Sequence, residues 1–234
     1  MELSVVLPVY NERETVLELL ERVRAVELDK EIIIVDNCST DGTREIVSGL
    51  DLPGVRVILQ PENRQKGNSV RRGFEAAQGE YVVIQDGDLE YDPQDYHALL
   101  RAVERDGALA ALGSRVLGAR QRGVRLPFTV FALGRSLLNL LFRILYGSRL
   151  TDIATCYKLM PAALARDLKL RCNGFDLDFE IVAKLARRAR REGKPIADVP
   201  IAYHPRTVAQ GKKIAWRDFF WALWVLARVR CERV

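Results

Sequence analysis

Three acids close a short apolar run. In "VIQDGDLE", Asp86, Asp88 and Glu90 follow Val83 and Ile84 at alternate positions. Carboxylates so near one another repel unless a cation stands between them. The compensating charge is expected from outside the sequence, as a divalent metal. Mg2+ and Mn2+ prefer oxygen ligands, and one or two carboxylates with a substrate's phosphates complete their shell. An Asp-x-Asp pair alone is often only a solvated turn, so its meaning depends on the elements that position it.

Those elements alternate. Leu3–Leu7 is an apolar strand broken by Pro8 and Asn11, and Glu12–Val26 carries Val16, Leu19, Leu20 and Val23 at helical spacing. Strands over Glu31–Val35, Val55–Leu59, Tyr81–Gln85 and Ala108–Leu112 alternate with helices to about Val47, over Asn68–Ala77 and over Asp95–Glu104. The pattern predicts an α/β fold, a mostly parallel sheet with helices on both faces. Ligands of such sheets sit beyond the carboxyl ends of the strands. Pro8–Glu12, Asp36–Asp41 and Asp86–Glu90 are therefore expected on one rim.

The bulk numbers agree with an ordered domain. The 234 residues are 48% hydrophobic and 29% charged, enough to bury a core and against disorder. The net charge of +5 suits anionic partners without choosing among nucleotides, nucleic acid and membrane surfaces. Cys38, Cys156, Cys172 and Cys231 are scattered, with no zinc spacing and no disulfide framework. "MELSVVLPVY" enters a strand without a basic leader, and no apolar stretch approaches the roughly 20 residues of a bilayer span. The expectation is a protein of the cytosol or of the cytosolic face of a membrane.

Three ordered segments, "VVLPVYNERE", "EIIIVDNCSTDGT" and "NRQKGNSVRRGFEAAQGEYVVIQDGDLEYDP", together resemble glycosyltransferase family 2. The later "GSR", "TDIATCYKLM" and "VPIAYHPRTVAQGKK" resemble, within that family, the dolichyl-phosphate mannose synthases and related polyprenyl-phosphate glycosyltransferases. The resemblance implies a GT-A fold and inverting transfer from a nucleotide sugar, GDP-mannose or a UDP-hexose. It implies that Pro8, Tyr10, Glu12, Val35 and Asn37 hold the nucleoside, and that Asp86, Gly87 and Asp88 hold the diphosphate. Asp86, Asp88 and Glu90 would hold Mg2+ or Mn2+, and Arg115, Arg206 and Lys212 would hold phosphates. Asp88, Arg115 and Asp152 are the candidate catalytic residues. Where relatives often carry Asp, this chain has Asn37, and where many mannose synthases carry Gly-Glu-Ser-Lys it has "AQGKK".

Residues 1–115 are then the nucleotide-sugar half of one domain, 116–210 its acceptor half, and 211–234 a basic aromatic helix. The acceptor half opens on a basic loop, "GSRVLGARQRGVR", before a helix over Phe128–Tyr146. Arg135, Asn139 and Arg143 fall on one polar stripe of that helix, and leucines cover the rest. The apolar arc is too wide for one-sided packing, so an interface helix is expected, with Arg115, Arg135 and Asn139 on an acceptor phosphate. In the last helix Trp216, Phe219, Phe220, Leu223, Leu226 and Ala227 share an arc, suiting either a membrane surface or docking on the domain or a twin subunit.

The implied acceptor is a polyprenyl phosphate, already anionic near neutral pH, so positioning and charge stabilisation suffice without a strong base. His97 and His204 read as structural. Asp176 and Asp178 could serve the acceptor, or Asp178 could cap its helix. Three readings stay open besides: a hydroxyl acceptor with Asp152 as base, a nucleotidyltransferase, and a non-catalytic basic protein, which would explain the arginines but not the acids. Nucleic acid is not among the expected partners; a homo-oligomer or a membrane-embedded partner is.

Overall fold

The structure, a computed structural model, describes residues 1–124, 130–205 and 216–232. Among these, seven strands form one sheet in the order β3-β2-β1-β4-β6-β5-β7. The strands are β1 (Leu3–Val9), β2 (Lys30–Asp36), β3 (Val55–Leu59), β4 (Tyr81–Ile84), β5 (Ala110–Ser114), β6 (Lys158–Pro161) and β7 (Ile196–Pro200). β6 runs antiparallel to both of its neighbours, and every other pairing is parallel.

All seven residues of β1 are buried, as a strand covered on both faces requires, whereas β3 at the edge is half-exposed. Pro8 lies on the β4 side of β1, beyond the last pair, Val6 with Ile84. Its missing N–H therefore breaks no ladder bond, and the two strands part where the rim begins.

Helices surround the sheet. α1 (Val16–Arg24) buries Val16, Leu19, Leu20 and Val23, the spacing read in the sequence. α2 (Thr43–Ser48) and α3 (Gln65–Ala76) follow β2 and β3, and α4 (Tyr96–Glu104) follows β4. The sequence-based starts at Glu12 and Asn68 were displaced by four residues or fewer, as end positions commonly are.

Part of the basic segment is not a loop. Arg115–Gln121 forms α5, capped by Ser114, whose Oγ accepts from Leu117 N at 3.0 Å. Gly118 permits this helix to lie on the chain leaving β7, since a Cβ there would stand 1.9 Å from Ile201 O. α6 (Val130–Tyr146), α7 (Ala162–Asp167), α8 (Leu177–Glu192) and α9 (Trp216–Cys231) complete the set. No helix among the described residues is long and apolar enough to cross a membrane.

Candidate nucleotide-sugar site

The carboxyl ends of β1, β2 and β4 are joined by their loops. Asn11 N donates to Ser39 Oγ at 3.0 Å, and Asn11 Oδ1 accepts from Thr40 N at 2.9 Å. Glu12 N donates to Thr43 Oγ1 at 2.9 Å, and Arg13 N to Asp41 Oδ2 at 3.1 Å. The loop after β1 also meets the acid loop: Thr15 Oγ1 donates to Gly87 O at 3.0 Å. A Cβ on Gly87 would lie 3.2 Å from Glu12 Cγ and 3.4 Å from Pro8 O, so the absence of a side chain allows this approach. Pro8 and Val35 face each other in the β1–β2 register. The structure thus brings Pro8, Glu12, Val35, Asn37 and Gly87 onto one rim with the acids.

Asn37 is largely occupied. Its amide donates to Asn63 Oδ1 at 2.8 Å and accepts from Arg64 N at 2.9 Å, tying β2 to the chain before α3. Tyr10 stands half-buried beside these loops.

Behind the acids, the buried Gln85 holds the turn. Its Nε2 donates to Asp86 O at 3.0 Å, and its Oε1 accepts from Tyr96 at 2.6 Å and Tyr157 at 2.7 Å. Each polar atom of this buried amide has a partner, which makes the backbone at Asp86 rigid.

The sequence does contain a cation for the acids. Lys66 Nζ lies 2.8 Å from Asp86 Oδ1 and 3.2 Å from Asp178 Oδ2, while Lys158 Nζ lies 2.6 Å from Asp178 Oδ1. Burial opposes the Lys66 charge, yet Asp178 and Asp86 outweigh it and hold its pKa well above the ordinary lysine value. Burial likewise works against ionised Asp178, but Lys158 and Lys66 keep its carboxyl below the usual range. Asp178 therefore does not cap α8; it sits in the first turn, buried, and links that helix to the acid loop. Local patterning missed Lys66 and Lys158 because their partners are distant in sequence.

The acids do not gather as a three-ligand cage. Asp86 turns to Lys66, Asp88 Oδ1 accepts from Glu90 N at 3.1 Å, and Glu90 Oε2 accepts from Tyr203 Oη at 3.2 Å. Among the described residues no group of three His, Cys, Asp or Glu side chains is placed to hold a metal. Asp86 and Asp88 still offer oxygen donors from one rigid loop at a half-buried rim. That set fits Mg2+ or Mn2+ whose other ligands are phosphate oxygens and water.

On the other side, Arg115 makes a bidentate pair with Asp152: Nε to Oδ2 at 2.6 Å and Nη2 to Oδ1 at 2.8 Å. Asp152 also accepts from Arg115 N at 3.2 Å. Burial disfavours its charge, but the Arg115 guanidinium prevails, and Arg135 adds to it, so Asp152 titrates below an ordinary aspartate. With both oxygens engaged, Asp152 orients Arg115, which lies over the Tyr203 ring at 5.1 Å from its centre. Arg206 and Lys212 lie outside the described residues.

The polar stripe of α6 is divided between the domain and solvent, Asn139 half-buried and Arg143 exposed. Asn139 Nδ2 donates to Thr151 O at 2.5 Å and its Oδ1 accepts from Ile153 N at 3.1 Å, so the polar side holds the loop carrying Asp152. Leu138 and Phe142 are buried beside it, while Leu133, Leu137, Leu140 and Ile144 are exposed, Ile144 by 70%. α9 docks on α6 and α8 through Ala222, Val225, Leu226 and Val229, and leaves Phe220, Trp221 and Trp224 exposed. The buried set differs from the arc expected from sequence; of that arc Leu226 is buried and Phe220 exposed, and Trp216 has no described side chain.

A mixed, mostly parallel sheet with paired carboxylates at a strand end defines a GT-A-type α/β protein. The Mycobacterium tuberculosis glucosyl-3-phosphoglycerate synthase, solved with Mn2+, uridine diphosphate and phosphoglyceric acid, superposes at TM-score 0.71 over 100% of this chain and 80% of that one, at 20% identity. The Rubrobacter xylanophilus mannosyl-3-phosphoglycerate synthase does so at TM-score 0.71 over 98% and 72%, at 18% identity. Residues 4–160 match the family model for glycosyl transferase family 2, and the chain belongs to that family.

Its relatives include the low-salt glycan biosynthesis hexosyltransferase Agl6 of Haloferax volcanii, 28% identical over 87% of this chain and 48% of that protein. The dolichol-phosphate mannosyltransferase of Pyrococcus furiosus is 37% identical over 49% of this chain and 33% of that one. The matches thus span half or less of the length of these curated relatives.

Proposed function

We propose that the chain transfers a hexose, with mannose favoured, from a nucleotide sugar to a polyprenyl phosphate at the cytosolic face of a membrane, inverting the anomeric centre. Family membership supports the glycosyl transfer. The observation that carries the lipid acceptor is the exposed stripe Leu133, Leu137, Leu140 and Ile144, opposite the side of α6 that holds the Asp152 loop. Such a stripe suits a helix lying in the headgroup boundary, and exposed Phe220, Trp221 and Trp224 on α9 suit the same setting. The names of relatives that act on dolichol phosphate and undecaprenyl phosphate agree with it.

In this reading residues 1–115 hold the donor and 116–210 the acceptor. The β1 and β2 loops, with Tyr10, Glu12 and Asn37, cradle the nucleoside. Asp86 and Asp88 would hold the Mg2+ or Mn2+ of the diphosphate, a reading supported by the M. tuberculosis neighbour, which was solved with Mn2+ and uridine diphosphate. The bound ion would supply charge neutralisation on the leaving group. Lys66 shares Asp86 with that ion and adds positive charge to the rim. Arg115, fixed by Asp152, and Arg135 would place the acceptor phosphate, with Arg206 and Lys212 on the diphosphate. A phosphate oxygen forms the bond to the anomeric carbon as the bond to the nucleoside diphosphate breaks; that oxygen is already anionic, so no base is required.

The test offers purified protein radiolabelled GDP- and UDP-sugars with polyprenyl phosphate in detergent and Mn2+. Label in the organic phase with release of nucleoside diphosphate is expected. Label confined to water-soluble glycan would refute the lipid acceptor, and release of pyrophosphate would refute sugar transfer.

A further inference from the structure

A groove of about 440 Å3 runs between α6 and the turn that follows it, lined by Asn139, Leu140, Arg143, Arg149, Leu150 and Thr151. Two of its walls are fixed. Asn139 is committed to the backbone of Thr151 and Ile153. Thr151 is held by Asp198, whose Oδ2 accepts from its N at 2.8 Å and its Oγ1 at 2.7 Å. Arg143 and Arg149 are different. Both are exposed, and neither guanidinium has a hydrogen-bond or ion-pair partner among the described residues. Leu140 belongs both to the groove and to the exposed apolar stripe, so a cationic notch borders an apolar track.

This notch is separate from the proposed transfer site. Arg135 is the α6 arginine that acts on Asp152. Arg143 lies two turns further on, roughly 12 Å along the axis at the helical rise, and Asn139 intervenes.

We propose that the groove binds the phosphate head of an anionic membrane lipid between Arg143 and Arg149, with the lipid's chains along Leu140, Leu137 and Ile144. The planar guanidinium fork matches phosphate oxygens, and two unpaired cations beside exposed leucines complement an anionic amphiphile in both charge and polarity. The site seats α6 at a set depth and rotation, with Arg135 and the Asp152 loop on its inner side. The inference rests on the membrane-face part of the proposed function, not on the identity of donor or acceptor.

The test measures binding to phosphatidylcholine vesicles with and without phosphatidylglycerol for three proteins. They are the wild type, Arg143→Gln/Arg149→Gln, and a charge-matched control, Arg101→Gln/Arg105→Gln, in the last turn of α4 and at its C-cap. All four arginines are exposed, so the variants are expected to fold, and circular dichroism checks this. The wild type should favour the anionic vesicles. The groove variant should lose roughly fivefold per arginine, about 25-fold in all, and the control far less.

Equal losses in groove and control variants would reduce the effect to diffuse charge and overturn the proposal. A third arm replaces phosphatidylglycerol with polyprenyl phosphate. A groove-dependent loss in both lipid types supports headgroup recognition, and a loss confined to polyprenyl phosphate would assign the groove to the acceptor and overturn it. Vesicle binding requires no sugar transfer. Failed transfer with groove-dependent binding would therefore remove the acceptor assignment and leave the groove standing.

Discussion

Lys66 Nζ stands 2.8 Å from Asp86 Oδ1, so the first acid of the Asp-x-Asp loop already has a cation of the chain's own beside it. The same ammonium reaches Asp178, which Lys158 pairs from the other side. Lys66 thereby fastens the acid loop to α8 and offsets repulsion between Asp86 and Asp178 while no ligand is bound.

Removing that ammonium should be costly. Lys66→Met leaves Asp86 without its partner and Asp178 with one cation instead of two. The expected loss is about 2–3 kcal/mol, at or below the roughly 3–5 kcal/mol of fully buried pairs because the Asp86 side chain is 27% exposed. Thermal melts with and without Mn2+ and nucleoside diphosphate check this. The deficit should shrink when both are present, because another cation then serves Asp86, and an equal deficit in both conditions would contradict the arrangement.

The Arg115–Asp152 pair should behave as one unit. Asp152 is fully buried, and Asp152→Ala strands a guanidinium that is itself mostly enclosed. The expected cost is about 3–5 kcal/mol. Arg115→Met/Asp152→Ala should recover a large part of it, because no unpaired charge remains. A double-mutant cycle by chemical denaturation measures the coupling, and additive losses would show that the two side chains act independently.

Asp95 gives the chain a pH signature. Burial pushes its carboxyl up to about 6, nearby Asp92 adds to this, and the bond from Ala202 N and the charge of Arg122 pull against it. A folded-state value above the unfolded one means the folded chain holds the proton more tightly. The stabilising contribution is full below the unfolded pKa near 4 and is lost as pH rises through 6. Asp95→Asn, which cannot ionise and can still accept from Ala202, should therefore melt higher than wild type at pH 7.5 and equally at pH 4. A constant difference at both pH values would contradict this.

The exposed stripe of α6 gives an association test. Leu137→Ser/Ile144→Ser removes apolar surface that already faces solvent, so the thermal midpoint should hold. Cosedimentation with vesicles should fall by roughly tenfold or more, from lost burial of two large side chains. Unchanged cosedimentation would place the stripe away from the lipid.

The first half of the fold was legible because its signals are local. The apolar runs of β1, β2 and β4 and the spacing of Val16, Leu19, Leu20 and Val23 needed no partner to be read. β6 was not read as a strand: it has four residues and carries Lys158, whose buried charge depends on Asp178. α5 was hidden by its arginines, although Ser114 was an available cap signal. The rim loops were placed correctly because strand ends determine them. The ion pairs across the rim were not visible, since Lys66 and Asp178 meet only after α3 and α8 pack near the acid loop. What Asn139 holds was hidden for a related reason: its partners lie in the backbone of a later loop, which periodicity does not contain.

In the proposed function the acid loop after β4 binds a nucleoside diphosphate through a divalent ion. Calorimetric titration of GDP and UDP into wild type and Asp88→Asn, with and without Mn2+, puts this to the test. For the wild type Mn2+ should tighten binding of the matching nucleotide at least tenfold, and Asp88→Asn should abolish that gain. Equal binding with and without Mn2+, or a gain undiminished in Asp88→Asn, would place the nucleotide elsewhere.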